Sequence, residues 1–156
     1  MELLQTIWNA LTNENEILMN IISVPMIFIE IYLTFLLFTT ILNISCSKTQ
    51  RIQYVLCNSL LAILTSYFIP NPYNTFINLM LFPVLVYFIL KTNALKAIFS
   101  EITFYIIMFC TGTPLVLLYS SILKLHSTVL FVIPIYKIIY SFNLYILLFA
   151  IYQIFK

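Results

Sequence analysis

The sequence predicts an all-α, polytopic membrane helix bundle with about five transmembrane helices, and three observations carry that prediction. Hydrophobic residues make up 63% of the chain and charged residues only 8%, against roughly 25% charged in an ordinary soluble domain. Mean hydropathy is +1.07. The apolar residues fall in long continuous runs separated by short polar connections, without the strict alternation a membrane barrel needs. With 156 residues, and about 20 used per helical crossing of ~30 Å of hydrocarbon, no room is left for a separate catalytic domain.

Residues 1–16 form a leader outside the bundle, and residues 17–156 a single transmembrane bundle. The leader carries Glu2, Glu14 and Glu16 but no Lys or Arg, unlike the basic start of a secretory signal. Leu3, Leu4, Ile7, Trp8 and Leu11 recur at helical spacing. That pattern fits a short amphipathic helix on the membrane surface with Trp8 at the interface, the alternative being a disordered leader.

The first span covers residues 17–44, apolar except for Glu30 and a few small polar groups. Polar residues 45–53, with Lys48 and Arg51, precede a second apolar stretch at 54–69. Pro70-Asn71-Pro72 ends it, because each proline lacks a backbone donor and restricts the residue before it. A tight turn follows, or a short re-entrant pair. The third span is 73–90 with Pro83 inside, which membrane helices tolerate as a kink.

After the polar connection at 91–96, the fourth span covers 98–123. It contains Cys110-Thr111-Gly112-Thr113-Pro114, where the only glycine stands near a proline, so a kink or a break into two half-helices is expected, with Gly112 and Pro114 as hinge. The fifth span is 129–155, with Pro134 near its start and Lys137 within it.

Loops rich in Lys and Arg stay on the cytoplasmic side. Lys48 and Arg51 put the first loop inside, Lys91 and Lys96 the third, and Lys156 the C-terminus, while the uncharged Pro70 to Pro72 turn falls outside with Lys124 in the short fourth loop. An N-terminus outside and a C-terminus inside require an odd number of spans, which agrees with five. The expected location is the cell membrane, multi-pass.

Glu30 stands near the middle of the first span, where an ionised side chain faces protein or water rather than lipid. Counting about thirteen residues in for Glu30 and about nine for Lys137, at ~1.5 Å per residue, their backbones differ in depth by about 6 Å. An intramembrane Glu30–Lys137 pair is therefore expected. It either closes the bundle, changes on ligand binding, or belongs to a proton or ion path. A neutral Glu30 hydrogen-bonded across helices satisfies the same physics. Glu101, near the start of the fourth span, reads as an interface residue that meets the helix dipole and faces Lys96 or another basic loop residue.

No catalytic constellation is expected. Cys46 falls inside and His126 outside, Cys57 and Cys110 fall within helices, and a cysteine nucleophile needs its histidine base beside it. Three cysteines without a CxxC pair suggest neither a disulfide framework nor a zinc site, so no metal and no cofactor are expected. A net charge of +2 provides no phosphate-neutralising patch, which argues against nucleic acid as a partner.

Three stretches carry a family resemblance: Met1-Glu2-Leu3-Leu4 through Asn13-Glu14-Asn15-Glu16, Phe68-Ile69-Pro70-Asn71-Pro72-Tyr73-Asn74-Thr75-Phe76-Ile77-Asn78, and Pro134-Ile135-Tyr136-Lys137-Ile138-Ile139-Tyr140. With them, nearly the whole chain resembles the N-terminal membrane sensor of clostridial histidine kinases of the GHKL type, relatives of the kinases that detect autoinducing peptides in the accessory gene regulator system. The resemblance implies a two-component, quorum-sensing role: an extracellular peptide or other cue is sensed by the bundle, with a cytoplasmic dimerisation helix, an ATP-binding kinase domain and a homodimer to follow. The phosphoacceptor histidine and nucleotide-binding boxes of such kinases have no counterpart here, so the chain is expected to have no enzymatic output of its own.

On the sensor reading, ligand-facing groups lie outside or in the outer half of the bundle: Asn71, Tyr73 and Asn74 at the turn, the leader, and Lys137. A small transporter or channel subunit is the competing reading. The 110–114 break supports it, and the single glycine with no GxxxG weakens it. The third is an interaction or immunity-type membrane protein that shields a partner.

Overall fold

The computed structural model describes residues 2–70, 72–124 and 126–156. These form six α-helices and one short 3-10 helix, with no strand among them.

Helix α1 (Glu2–Thr12) is the amphipathic leader helix. Its apolar side stays uncovered, with Leu3 74% and Trp8 59% exposed, although it packs against the last long helix. Helix α2 (Glu16–Ile41) starts at Asn15, whose side chain accepts a hydrogen bond from the Leu18 amide at 3.0 Å. Such a cap satisfies one of the donors left open in the first turn, and Glu16 complements the positive end of the dipole. The helix stops three residues before the expected end of the span because Asn43 takes a left-handed conformation, φ 49°. Its 26 residues still make a rod of about 39 Å.

Helix α3 (Lys48–Phe68) begins six residues before the expected second span. Ser47 and Gln50 form a reciprocal capping box: the Gln50 amide donates to Ser47 Oγ at 3.2 Å and the Ser47 amide to Gln50 Oε1 at 2.9 Å. Residues 48–53, expected as a connection, are therefore helical, since the cap holds a polar first turn and a half in register with the apolar turns beyond. The same Gln50 side chain donates to the Ile89 carbonyl at 3.0 Å. That bond ties α3 to helix α4 (Tyr73–Leu90), which has the expected bounds and runs through Pro83.

Helix α5 (Ala94–Leu123) is 30 residues long and starts earlier than the expected 98 because Asn93 caps it, accepting from the Lys96 amide at 2.8 Å. It continues through residues 110–114, so the expected break into half-helices does not occur. Thr111 folds its hydroxyl back to the Ile107 carbonyl at 2.6 Å.

A 3-10 helix (Ser127–Phe131) and helix α6 (Pro134–Phe155) share the stretch expected as one span at 129–155. Pro134 opens α6 at a position where its missing donor costs nothing, instead of lying inside a span.

The core is built around α2, which packs on α3, α5 and α6 and buries residues 33–39 on nearly every side. One apolar cluster joins Phe35 and Phe38 of α2 to Tyr54, Val86, Leu90 and Ala97. Its rings meet at 5.0 Å for Phe35–Tyr54 and 5.7 Å for Phe38–Tyr54, in the tilted and edge-on geometries aromatic pairs prefer. A second cluster joins Leu33 and Leu37 to Ile107, Tyr140, Leu144 and Leu148.

Outside these clusters the surface is apolar, with Phe68, Phe88, Phe109 and Ile154 all well exposed. Four helices, α2, α4, α5 and α6, are long and apolar enough to cross a membrane. Helix α3 is less apolar, because Lys48, Gln50, Arg51 and Gln53 occupy its start. Length and composition thus mark the chain as a helical membrane protein.

Candidate functional site

One face of α2 near its N-terminus carries Glu16, Asn20, Ser23, Ile27 and Glu30. These positions are three or four apart, so they form a single stripe along the helix. The stripe lines a cavity of about 440 Å³, closed by Ser66 and Tyr67 from the end of α3 and by Lys137 and Ser141 from the start of α6. All three contributing ends lie at the same end of the bundle, since α3 runs antiparallel to its neighbours in sequence.

Lys137 is the fourth residue of α6. Its ammonium donates to Ser23 Oγ at 2.5 Å, and Ser23 in turn donates to the Met19 carbonyl at 2.5 Å. A lysine head held by a hydroxyl that is itself anchored to backbone has a fixed position rather than a swinging one. About two turns further along α6, Tyr145 donates to the Met26 carbonyl at 3.0 Å, a second polar tie between α6 and α2.

Glu30 is partly buried and lies within electrostatic reach of Lys137. The expected pair therefore takes another form. Carboxylate and ammonium line one cavity, while the hydrogen bond from Lys137 goes to Ser23. The arrangement presents a fixed positive group, an acidic group deeper in the span, and hydroxyl and amide groups between them. It suits a polar ligand that bears charge.

Of the other expected ligand-facing residues, Tyr73 and Asn74 do not line the cavity. Asn71 lies outside the described residues. Tyr73 is exposed, and Asn74 accepts from the Thr75 hydroxyl at 3.1 Å. The residues that sequence reasoning missed are Asn20, Ser23, Ser66, Tyr67 and Ser141. The polar stripe at helical spacing on α2 is the signal that points to the first two.

Gly112 of the expected hinge is a contact position, since a Cβ there would lie 3.1 Å from the Tyr140 hydroxyl, and α5 runs unbroken past Pro114. Glu101 departs from the interface reading: it lies two turns inside α5 and is buried. Lys96, its expected partner, instead donates to the Asn43 carbonyl at 3.4 Å. His126 caps the 3-10 helix, and the three cysteines are free thiols. Among the described residues no group of three His, Cys, Asp or Glu side chains could hold a metal ion.

Fold and site together define a class, a helical membrane protein with a charge-bearing polar cavity toward one end. Comparison with protein-family models, with curated proteins and with solved structures finds no match.

Proposed function

We propose that this chain is a membrane-embedded receptor module, a sensor of the kind that precedes a histidine kinase, which admits an extracellular peptide or similar polar cue into the cavity between α2, α3 and α6. It crosses the bilayer five times, with α3 as the crossing between α2 and α4. Its N-terminus is outside and its C-terminus inside. The loop charges at Lys48, Arg51, Lys91 and Lys96 support that orientation, which opens the cavity to the exterior. The observation that carries the reading is the Lys137–Ser23 contact beside Glu30, a preset polar recognition surface at the outer end.

A ligand shifts such a bundle only by binding one arrangement better than another. Helix α6 is suited to pass the shift on, because it carries Lys137 at the cavity and then runs as one rod of 22 residues, about 33 Å, to the other end.

The test uses the full chain in lipid nanodiscs, screened by thermal melting against a library of linear and cyclic short peptides, with solute flux measured in proteoliposomes. A peptide-dependent rise in melting temperature that Lys137→Met removes, without flux, supports the receptor. Flux that Glu30→Gln abolishes favours a transporter instead, a reading that rests on the placement of Glu30 in the cavity near mid-span.

A further inference from the structure

At the other end of the bundle, three basic side chains border the connection between α2 and α3. Lys48 and Arg51 stand three residues apart at the start of α3, about one turn, and the Lys96 ammonium donates to the Asn43 carbonyl at 3.4 Å. Two cavities lie beside them and share Arg51 in their walls. One, of about 410 Å³, is polar: Thr39, Thr40, Asn43, Ser45 and Tyr152 line it together with Arg51. The other, of about 390 Å³, is apolar: it lies between Tyr32 of α2 and Ile52, Val55 and Leu56 of α3, with Lys48 and Arg51 its charged residues.

Arg51 is half-buried, and its Nε is shielded without a hydrogen-bond partner among the described residues. No Asp or Glu is among the described residues that line either cavity, so the guanidinium lacks the counter-charge that a cation at a membrane needs. Thr39 and Thr40 give their hydroxyl protons to the Phe35 and Leu36 carbonyls. The donors left in the polar wall are the guanidinium, the Asn43 amide and the Ser45 and Tyr152 hydroxyls. Donors and positive charge without a carboxylate suit an anion that only accepts, and a guanidinium fork matches paired phosphate oxygens.

Helix α2 is long and apolar enough to cross a membrane, so the connection after it lies at the bilayer surface, the depth of phospholipid phosphates. The apolar cavity leads from there toward the hydrocarbon. Tyr32 precedes Ile41, the end of α2, by nine residues, about 14 Å along the axis, and α2 packs against α3. A free phosphate ion would occupy the polar cavity and leave the apolar one empty, whereas a phosphate carrying an acyl chain fills both.

We propose that Arg51 and Lys48, with Lys96 beside them, hold an anionic phospholipid, its phosphate in the polar cavity and one acyl chain in the apolar cavity between α2 and α3. Charge selects the headgroup. A choline or ethanolamine headgroup brings its own cation to a site that already has three, and a glycerol headgroup does not. The site is separate from the cavity of Glu30 and Lys137 and does not depend on what that cavity binds.

The experiment is thermal melting of the full chain in nanodiscs of phosphatidylcholine alone, of phosphatidylcholine mixed with phosphatidylglycerol, and of phosphatidylcholine with added inorganic phosphate, at fixed pH and ionic strength. Wild type is expected to melt higher with phosphatidylglycerol, with a shift that saturates as its fraction is raised, and not to respond to inorganic phosphate. Arg51→Gln and Lys48→Gln are each expected to lose most of the shift, and Arg51→Lys, which keeps the charge without the fork, to retain part of it. Lys124→Gln, which removes an exposed cation at the end of α5, keeps the shift. The proposal is overturned if wild type melts alike with and without phosphatidylglycerol, if inorganic phosphate alone reproduces the shift, since the ligand would then be a free anion, or if the shift survives Arg51→Gln. It is equally overturned if Lys124→Gln weakens the shift as much as Arg51→Gln does, since general charge attraction would then suffice. Wild type and the variant at the exposed Lys48 keep the test intact where an Arg51 variant fails to fold.

Discussion

Gly112 of α5 faces the hydroxyl of Tyr140 on α6 so closely that a Cβ would stand 3.1 Å from it. Tyr140 is buried, with its ring 5.5 Å from that of Phe131 and 6.4 Å from that of Tyr119, so its freedom to withdraw is limited. Gly112→Ala gains up to about 1 kcal/mol of helix propensity but must push that hydroxyl aside. The expected outcome is a near-neutral Gly112→Ala in the wild type and a stabilising one in a Tyr140→Phe background, where the obstacle is gone. Melting temperatures of the four proteins of this double-mutant cycle check it. A Gly112→Ala effect that is the same in both backgrounds would show that the hydroxyl is no constraint.

Glu30 and Lys137 share a cavity, so each screens the other's charge. Glu30→Gln and Lys137→Met are each expected to cost about 1–3 kcal/mol, the usual loss when a polar group loses its counterpart. The double variant should lose less than the sum. Chemical denaturation in mild detergent measures all three, and strictly additive losses would rule out the coupling.

Gln50 closes the cap of α3 and also holds the Ile89 carbonyl. Ser47→Ala removes only the cap, at about 1 kcal/mol. Gln50→Ala should destabilise more, by about 2 kcal/mol, because it also leaves a carbonyl without its donor. Equal melting temperatures for the two variants would count against the α3–α4 tie.

Cys46 lies in the connection between α2 and α3. In a protein with Cys57→Ser and Cys110→Ser, a membrane-impermeant maleimide should label Cys46 in inside-out vesicles and not in intact cells. Thr75→Cys, near the start of α4 and exposed, should show the reverse. Labelling of both from one side would overturn the five-span orientation.

Hydropathy makes much of the fold legible. The long apolar runs of α2, α4, α5 and α6 are plain in the sequence, and α4 has the expected bounds because Pro72 and Lys91 punctuate both of its ends. Where sequence and structure differ, local hydrogen bonds outweigh polarity. Ser47 and Gln50 extend α3 back through residues that hydropathy assigns to a loop, and Pro134 begins a helix instead of interrupting one. Gly112 looks like a hinge because glycine is flexible, yet its smallness is what the neighbouring tyrosine requires.

The site was half legible. Glu30 and Lys137 are conspicuous as charges within apolar runs, and counting residues from the span ends brings their backbones within about 6 Å in depth. Ser23 could not be chosen as the partner of Lys137 from composition, because 114 residues separate them and only the packing of α6 on α2 unites them. Glu101 misleads for a related reason. Nearness to a helix start suggests an exposed position, whereas the side of the helix decides burial.

The packing of α6 against α2 also constrains how the protein is made. These two helices are neighbours in the bundle but lie at opposite ends of the chain order among the long helices, so the ribosome releases α2 well before its main companion exists. Throughout that interval Ser23 and Glu30 have no lysine beside them, and the insertion machinery or the intervening helices must shelter a carboxyl group that lipid would reject. The Lys137–Ser23 contact therefore forms only after the helices between α2 and α6 have been made.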